Sequence, residues 1–319
     1  MKRFKNILLT VDFDSKQQTA VDRAVSLAKQ NDACLTVFSV VKELPADARM
    51  AITSMPPQEL LERVMVGRRE KVDALAADVS RQGVEVRSKV VAGTPFLEIV
   101  RLVLRDKHDL VILAAKDGGG LKERLFGSTS MHLMRKCPCP VWVVKPAKRS
   151  KYRRILAAVD TTSDFPDSER LSLNPLILQL ASSLAEMDNS DFHVVQVWSV
   201  FADGYVEVRG ALSKKSMRDW RRKTKQQYAT RLEGLLSKVD LRGVITHRHL
   251  LRNDDVPKAI VALAKDKKID LLVMGTVCRT GVAGFFIGNT AEKVLSEVNC
   301  SVLTVKPDGF VTPVALEDD

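Results

Sequence analysis

Hydrophobic positions along the chain fall into two alternating patterns. Short runs such as LVILAA at 110–115 and LLVMG at 271–275 are apolar throughout, whereas the longer segments between such runs place apolar residues at helical intervals. This alternation is typical of a parallel β-sheet whose strands are connected by helices. Because the apolar runs show no regular polar positions, we expect helices to cover both faces of each sheet.

The pattern predicts nine elements in the first half of the chain, and the second half repeats their order with a longer first helix over 167–187. The predicted elements of the first half are strand 7–11, helix 17–30, strand 35–41, helix 58–82, strand 85–91, helix 95–107, strand 110–114, helix 128–136 and strand 141–145.

Internal repetition supports this division into halves. The matching segments are NILLTVD (6–12) with RILAAVD (154–160), HDLVILAAKDGG (108–119) with IDLLVMGTVCRT (269–280), and CPVWVVKP (139–146) with CSVLTVKP (300–307). The sequence therefore predicts an α/β fold of two tandem doubly wound domains, each with a five-stranded parallel sheet. The predicted bounds are 1–147 for the first domain, 152–310 for the second and 311–319 for a C-terminal tail.

Composition narrows the class of protein. A length of 319 residues suits two domains of ordinary size. No window approaches the roughly 18 uninterrupted apolar residues of a membrane helix, and the start MKRFKNILLTVDFD reaches acidic residues too early for a secretory signal. We therefore expect a cytoplasmic protein without membrane contacts. Cys34, Cys137, Cys139, Cys278 and Cys300 form an odd set without a CxxC pair, so reduced thiols are expected rather than disulfides or a zinc framework.

A formal net charge of +11 raises the question of nucleic-acid binding. The densest basic cluster, 214–236, also carries an apolar stripe at helical intervals, formed by Met217, Trp220, Tyr228, Leu232 and Leu235. This stripe places the basic side chains on the opposite face of a helix. We therefore interpret the cluster as a solvated helix face and do not expect a nucleic-acid partner.

The segment MGTVCRTGVAGFFIGNTAEKV (274–294) connects an apolar strand to a predicted helix. Glycine-rich turns at helix starts present backbone N–H groups and a partial positive charge, and together these can bind a phosphate. Gly288 would permit a close approach and Thr290 would donate a hydroxyl. The alternative is that Gly288 and Asn289 only form the turn into the helix, with Asn289 or Thr290 as its cap.

An aspartate follows the first strand of each half, at Asp12 and Asp160. Its carboxylate could accept hydrogen bonds from a ribose or a base, or it could cap the turn that follows. His247 and His249 would point to one face of a strand, but the sequence identifies no third ligand, so a polar pair is expected and no metal. His193 is isolated in the sequence, and we assign it no chemistry.

These motifs resemble the universal stress proteins, and specifically their tandem E-type bacterial members, over essentially the whole chain. Nucleotide-binding members carry the loop G-x-x-G, nine residues, then G-(S/T). The second copy here reads Gly275, Cys278, Gly288 and Asn289 at those positions, with Thr290 one residue later. The first copy reads Ala114, Asp117, Gly127 and Ser128, so only its final pair matches.

The resemblance implies an adenine nucleotide alpha hydrolase-like fold, with the two domains packed as a pseudo-dimer. It also implies site residues in each copy. In the second domain Asp160 would lie near ribose or base, Val197 would offer its backbone to an adenine, and Gly275, Cys278, Gly288, Asn289 and Thr290 would surround phosphates. In the first domain the weaker equivalents are Asp12, Val40, Gly127 and Ser128.

Both loops depart from the family pattern in ways that weaken phosphate binding. If the second glycine of the motif has a positive φ, Cys278 in its place costs roughly 1–2 kcal/mol. Asp117 would repel a phosphate at about 5 Å by roughly 3 kcal/mol at an effective dielectric near 20. The sequence therefore predicts a weakened site in the second domain and a degenerate one in the first.

The chain has no GxxxxGK[ST] loop, GxSxG elbow or HExxH helix, so an enzyme is the least favoured hypothesis. The favoured one is a non-enzymatic stress-response protein with ATP or a similar nucleotide as candidate ligand; the resemblance implies a role in stress and DNA-damage resistance. The alternative is a structural tandem that holds an apolar small molecule or a protein partner, for which Met50, Met55 and Met65 give some support. We expect a monomer, with a homodimer as the alternative.

Overall fold

Each half of the chain folds into a five-stranded parallel sheet flanked by helices in the computed structural model. The structure describes residues 3–14, 16–43, 56–115, 126–161, 168–200, 213–276 and 287–316.

The first unit has the strand order β3-β2-β1-β4-β5, and its neighbouring strands pair in parallel. Its elements are β1 (Asn6–Thr10), α1 (Gln18–Asn31), β2 (Cys34–Val41), α2 (Pro57–Arg81), β3 (Val86–Ala92), α3 (Pro95–Asp106), β4 (Leu110–Ala114), α4 (Ser128–Lys136) and β5 (Val141–Val144).

The second unit repeats this arrangement with the strand order β8-β7-β6-β9-β10. Its elements are β6 (Arg154–Val159), α5 (Ser168–Asp188), β7 (Asp191–Trp198), α6 (Lys214–Leu236), β8 (Thr246–Arg252), α7 (Val256–Asp266), β9 (Leu271–Gly275), α8 (Asn289–Glu297) and β10 (Ser301–Val305).

The predicted fold class is confirmed, and the predicted strands and helices agree with the structure to within about two residues at each end. Successive residues of the central strands are all buried: Ile7, Leu8 and Leu9 in β1 have no exposed surface. Burial of adjacent residues means that both faces of the sheet are covered, as the unbroken apolar runs predicted.

The described chain divides into two compact units between Lys151 and Tyr152. One compact unit contains Met1–Lys151, and the other contains Tyr152–Arg279 and Ile287–Gly309. The C-terminal segment Phe310–Asp319 groups with the first unit. Among the described residues, no helix combines the length and the apolarity needed to cross a bilayer.

Two aspartates with equivalent positions fix the first strand of each unit. Asp109, just before β4, accepts hydrogen bonds through Oδ2 from the backbone N–H groups of Lys5 at 2.5 Å and Asn6 at 3.1 Å. Asp270, just before β9, does the same for Arg153 and Arg154, at 2.8 and 3.0 Å. Each carboxylate therefore holds the amino end of the first strand against the fourth.

The basic cluster 214–236 forms α6, as predicted. Of the predicted stripe, Met217 and Leu232 are buried and the other three residues are half-buried, and Leu236 is buried in place of Leu235. Basic side chains such as Lys223 and Lys225 are exposed. The amphipathic interpretation of the cluster is therefore confirmed, and most of the charge faces solvent.

The four cysteines that the structure describes, Cys34, Cys137, Cys139 and Cys300, form no disulfide bond. The Sγ atoms of Cys137 and Cys139 lie 3.5 Å apart. The hydrogen bond to Cys137 and burial raise the pKa of Cys139, so this thiol is protonated at neutral pH.

Candidate functional site

The carboxyl ends of β6 and β9 form the edge where the second unit should bind a ligand. These strands are neighbours, and the chain leaves them toward opposite sides of the sheet, which creates the switch point where doubly wound folds bind ligands. In the first unit the equivalent edge lies at the ends of β1 and β4. The predicted residues Asp160, Gly275 and Gly288 belong to this edge in the second unit, and Asp12 and Gly127 belong to it in the first.

Asp160 follows β6 and is half-buried, and its backbone is fixed by Asn174 from α5. The side-chain amide of Asn174 donates to the Asp160 carbonyl at 2.7 Å, and its Oδ1 accepts from the Asp160 N–H at 3.1 Å. Asn174 is itself buried. This pair of bonds holds the peptide of Asp160 in one orientation, so the position of its carboxylate group is restricted.

Gln196 connects the ends of β6 and β7. Its Oε1 accepts from the Thr161 N–H at 2.7 Å, and its Nε2 donates to the Val197 carbonyl at 2.7 Å. The side chain is 1% exposed, so both bonds are shielded from water. Val197 was predicted to offer its backbone to an adenine. Gln196 already uses one lone pair of the Val197 carbonyl, which leaves the second for a ligand.

Arg231 of α6 brings a positive charge to the same edge. Its guanidinium lies 3.4 Å from the Thr161 carbonyl and 5.6 Å above the ring of Tyr228. Arg231 is not among the predicted site residues, because in the sequence it is one of many basic residues in the segment 214–236. Arg231 directly precedes Leu232, which is buried. This position next to the apolar stripe distinguishes Arg231 from the exposed basic residues of the helix.

Gly275, the last residue of β9, is explained by packing against α5. A Cβ atom at this position would lie 3.2 Å from Cδ1 of Leu173 and 3.7 Å from Cδ1 of Ile177. The backbone of Gly275 does not have a positive φ. The close approach of α5 is therefore sufficient to explain the glycine at this position, and phosphate binding is not needed as a reason.

Lys306 places a buried ammonium group at the start of the loop after β9. Its Nζ donates to the Thr276 carbonyl at 3.0 Å, and the residue is only 7% exposed. A positive charge at this depth favours an anion nearby, because burial reduces the screening of its field by water.

Helix α8 begins at Asn289 and has no side-chain cap among the described residues. Gly288 is the N-cap with φ −58° and ψ 143°, and no side chain caps the first turn. The alternative in which Asn289 or Thr290 caps the helix is therefore wrong. Asn289 is exposed and Thr290 half-buried, so two polar side chains flank the first-turn N–H groups, which have no partner within the helix. Glu292 in the first turn contributes an opposing negative charge.

Asp12 in the first unit has the turn-capping role. Its Oδ1 accepts a hydrogen bond from the Asp14 N–H at 3.1 Å, while Phe13 between them has a φ of 62°. Two roles were predicted for Asp12, hydrogen bonding to a ligand and capping of the following turn, and the structure shows the turn cap.

Arg68 of α2 lies across the carboxyl ends of β1 and β2. Its Nη1 donates to the Asp12 carbonyl and to Oγ of Ser39, the latter at 3.3 Å, and the guanidinium lies 5.6 Å above the Phe13 ring. The neighbouring Val40, predicted to offer its backbone to an adenine, is half-buried in β2. Arg68 therefore already uses two polar groups at this edge.

Helix α4 of the first unit begins much as α8 does. Gly127 is the N-cap, no side chain caps the first turn, and Ser128 is exposed. The hydroxyl of Ser130 donates to the Gly127 carbonyl at 2.9 Å. Cys278 and Asp117, the two positions predicted to weaken the loops, lie outside the described residues.

A profile of the Universal stress protein family matches residues 3–145 and again 151–306. "Universal stress protein E" of Salmonella typhi is 28% identical to this chain, across 100% of this chain and 99% of that protein. A homologue of the same protein in Haemophilus influenzae is 25% identical, across 96% of this chain and 98% of its own length.

Solved structures agree on the fold. A functionally unknown protein from Pseudomonas aeruginosa PAO1 superposes with a TM-score of 0.67, 24% identity and coverage of 97% of this chain and 95% of that one. A universal stress protein from Archaeoglobus fulgidus superposes with a TM-score of 0.61 at 18% identity, covering 94% of this chain and 98% of that one.

Proposed function

Since the chain belongs to the universal stress protein family, we propose that it is a stress-response protein that binds an adenine nucleotide in its second unit. The observation that carries this proposal is the uncapped start of α8. Because α8 follows β9 at the switch point, the first turn of α8 lies at the same sheet edge as Asp160.

The edge offers complementary groups to the two ends of a nucleotide. The N–H groups at the start of a helix carry about half a positive charge, which favours a phosphate there. Asp160 can accept hydrogen bonds from ribose hydroxyls or from a base. Glu292 opposes the phosphates, so we expect moderate rather than tight binding.

We propose that the first unit does not share this function. Arg68 donates to two groups at this edge, the Asp12 carbonyl and Oγ of Ser39, whereas Arg231 of the second unit lies 3.4 Å from the Thr161 carbonyl. A ligand at this edge would have to displace the guanidinium. This difference supports an asymmetric tandem with one nucleotide site.

We expect the nucleotide to be held rather than hydrolysed. The chain has no GxxxxGK[ST] loop to place a lysine and a hydroxyl on the β- and γ-phosphates. A bound nucleotide would then act as a signal for the state of the cell, because its occupancy follows its concentration.

The experiment compares two matched aspartates by thermal unfolding and calorimetric titration with ATP and Mg²⁺. ATP at a hundred times its Kd should stabilise the second unit by about 2.7 kcal/mol. Asp160→Ala should weaken binding by about 10- to 100-fold, the value of one or two hydrogen bonds to a charged group. Asp12→Ala, at the equivalent position of the first unit, should leave the affinity unchanged.

Two results would overturn the proposal. One is the absence of a thermal shift at millimolar ATP with Mg²⁺, and the other is an equal loss of affinity in the Asp12 variant. Mass spectrometry of the denatured purified protein adds an independent measurement, because it would detect a nucleotide that copurifies.

A second candidate function, the binding of an apolar ligand or protein partner, has one observation in its favour. Val64 and Val66 of α2 are 43% and 54% exposed, on either side of the half-buried Met65. Met50 and Met55, which suggested this function in the sequence, lie outside the described residues. A lipid-like species in the same mass spectrum would favour this function over the nucleotide.

A further inference from the structure

Three histidines and an aspartate gather on one face of the sheet in the second unit. His193 of β7 pairs in register with His247 of β8, and His249 pairs with Val195. Side chains alternate along a strand, so Asp191 shares the face of His193, and His249 shares the face of His247. The sequence identified no third ligand beside His247 and His249, and it treated His193 as isolated. That interpretation is wrong, because the sheet brings a histidine and a carboxylate to the same place.

The donor atoms of this cluster are close enough to share an ion. One ligand atom each from Asp191, His193 and His247 lies within 4.8 Å of the others. The ring centroids of His193 and His247 are 4.6 Å apart. Among the residues that the structure describes, this is the one group with a spacing suited to a metal.

His193 is the buried centre of the group. It is 5% exposed, and its Nδ1 lies 2.9 Å from Nε2 of His249. Its other nitrogen, Nε2, is also buried and has no hydrogen-bond partner among the described residues. Buried polar atoms almost always have a partner, so this nitrogen calls for an explanation.

In the bond between His193 and His249, Nδ1 of His193 can act as the donor. A neutral imidazole whose Nδ1–H donates to His249 has a lone pair on Nε2, and this is the form that binds metal ions.

We propose that Asp191, His193 and His247 bind a divalent first-row transition-metal ion, and that His249 is a positioning residue that orients His193. Two imidazoles and a carboxylate are donors that zinc and its neighbours in the first row accept. The hydrogen bond between His193 and His249 matches the second-shell bond that fixes the tautomer of a metal-binding histidine.

To hold an ion, the ring of His247 must rotate, because it is stacked on the ring of His193 with their planes 21° apart and an imidazole binds a metal in its own plane. Zinc–nitrogen bonds of about 2.1 Å in a tetrahedral site place two ligand atoms roughly 3.4 Å apart. Because His247 is exposed and Asp191 half-buried, their side chains can close the remaining distance around the fixed His193. Asp191 supplies a negative charge, and Asp266 near His249 adds another, whereas Arg154 and Lys267 oppose the ion.

This site is separate from the candidate nucleotide edge. His193 lies four residues before Val197 on the same strand, which corresponds to about 13 Å along β7. Metal binding and nucleotide binding can therefore succeed or fail independently.

Calorimetric titration of the full chain with Zn²⁺ tests the proposal. The wild-type protein should bind one ion. His247→Ala should reduce the affinity for this ion by more than about 100-fold. His132→Ala, a histidine of the first unit, is the control and should bind as the wild type does. His249→Ala should bind about 10- to 100-fold more weakly, with partial recovery in His249→Gln, whose oxygen can accept the His193 N–H.

Co²⁺ in place of Zn²⁺ identifies the ligands. Its visible absorption should show nitrogen and oxygen coordination without a thiolate charge-transfer band, and Cys139→Ser should leave the spectrum unchanged. The proposal is overturned if His247→Ala binds Zn²⁺ as tightly as the wild type. A thiolate band that Cys139→Ser removes would overturn it too, by assigning the ion to the cysteines.

Discussion

At the scale of single residues, the carboxyl edge of the second unit is organised by side chains that bind its backbone. Asn174 holds the peptide of Asp160, and Gln196 connects Thr161 to Val197. The first unit has Ser39 at the position of Gln196, and its shorter side chain donates to the Val11 carbonyl at 2.7 Å and accepts from Arg68 at 3.3 Å. The two edges therefore differ in how firmly the first and second strands are joined where a ligand would bind.

Gly275 gives a prediction that separates packing from ligand binding. Gly275→Ala should destabilise the second unit by about 1 kcal/mol, because the new Cβ would lie 3.2 Å from Leu173 Cδ1 in a buried contact. Urea unfolding measures the change. Leu173→Val in the same chain should recover much of the loss, since it shortens the side chain that the new methyl group meets.

Ala114 is the matched control, since it ends β4 as Gly275 ends β9. Ala114→Gly should destabilise the first unit by roughly 0.5–1 kcal/mol through backbone entropy. If Gly275→Ala instead leaves stability unchanged and weakens ATP binding, the glycine serves the phosphates and the packing explanation is wrong.

At the scale of elements, the sequence predicts strands and helices well because their signals are local. Unbroken apolar runs mark the buried strands, and prolines in the first turn mark the starts of α2, α3 and α7. Pro175 lies inside α5, yet the helix continues from Ser168 to Asp188, as the apolar periodicity predicted.

The candidate sites were less predictable, because their contacts join residues far apart in the chain. Arg68 is 56 residues from Asp12, and Arg231 is 70 residues from Thr161. The partnership of His193 with His249 likewise depends on the register of β7 against β8. No periodicity within a single segment carries this information.

The paired aspartates before β4 and β9 give a prediction at this scale. Asp109→Ala and Asp270→Ala should each destabilise their own unit by about 2 kcal/mol, because each carboxylate accepts two backbone N–H groups of the first strand. Urea unfolding followed by tryptophan fluorescence measures this, since Trp142 lies in the first unit and Trp198 in the second.

Asparagine at the same positions is the conservative control. Asp109→Asn and Asp270→Asn keep an oxygen acceptor but lose the charge, so they should cost less than the alanine variants. Equal stability of the alanine variants and the wild type would show that these carboxylates do not hold the strand.

At the scale of the whole molecule, one architecture appears twice with different chemistry. Each unit presents an arginine from the helix before its third strand at the end of its first strand, Arg68 in one and Arg231 in the other. Among the described residues, the second unit alone carries a histidine cluster. The duplication therefore leaves the strand order unchanged and varies the side chains at the edges and faces of the sheet.

The net charge of +11 gives the last prediction, which concerns nucleic acid. The exposed basic side chains of α6 face solvent around the helix, so they should attract DNA only through non-specific electrostatics. Fluorescence anisotropy with duplex DNA should give a Kd of about 10⁻⁴–10⁻⁶ M at physiological salt, without sequence preference.

A triple variant decides whether α6 forms a binding face. Lys215, Lys223 and Lys225 are all exposed, and their replacement by alanine should change the slope of log affinity against log salt by less than about one. If each lysine contacts a phosphate, the slope should fall by roughly three. Submicromolar binding with that larger change would make α6 a nucleic-acid interface and overturn its interpretation as a solvated face.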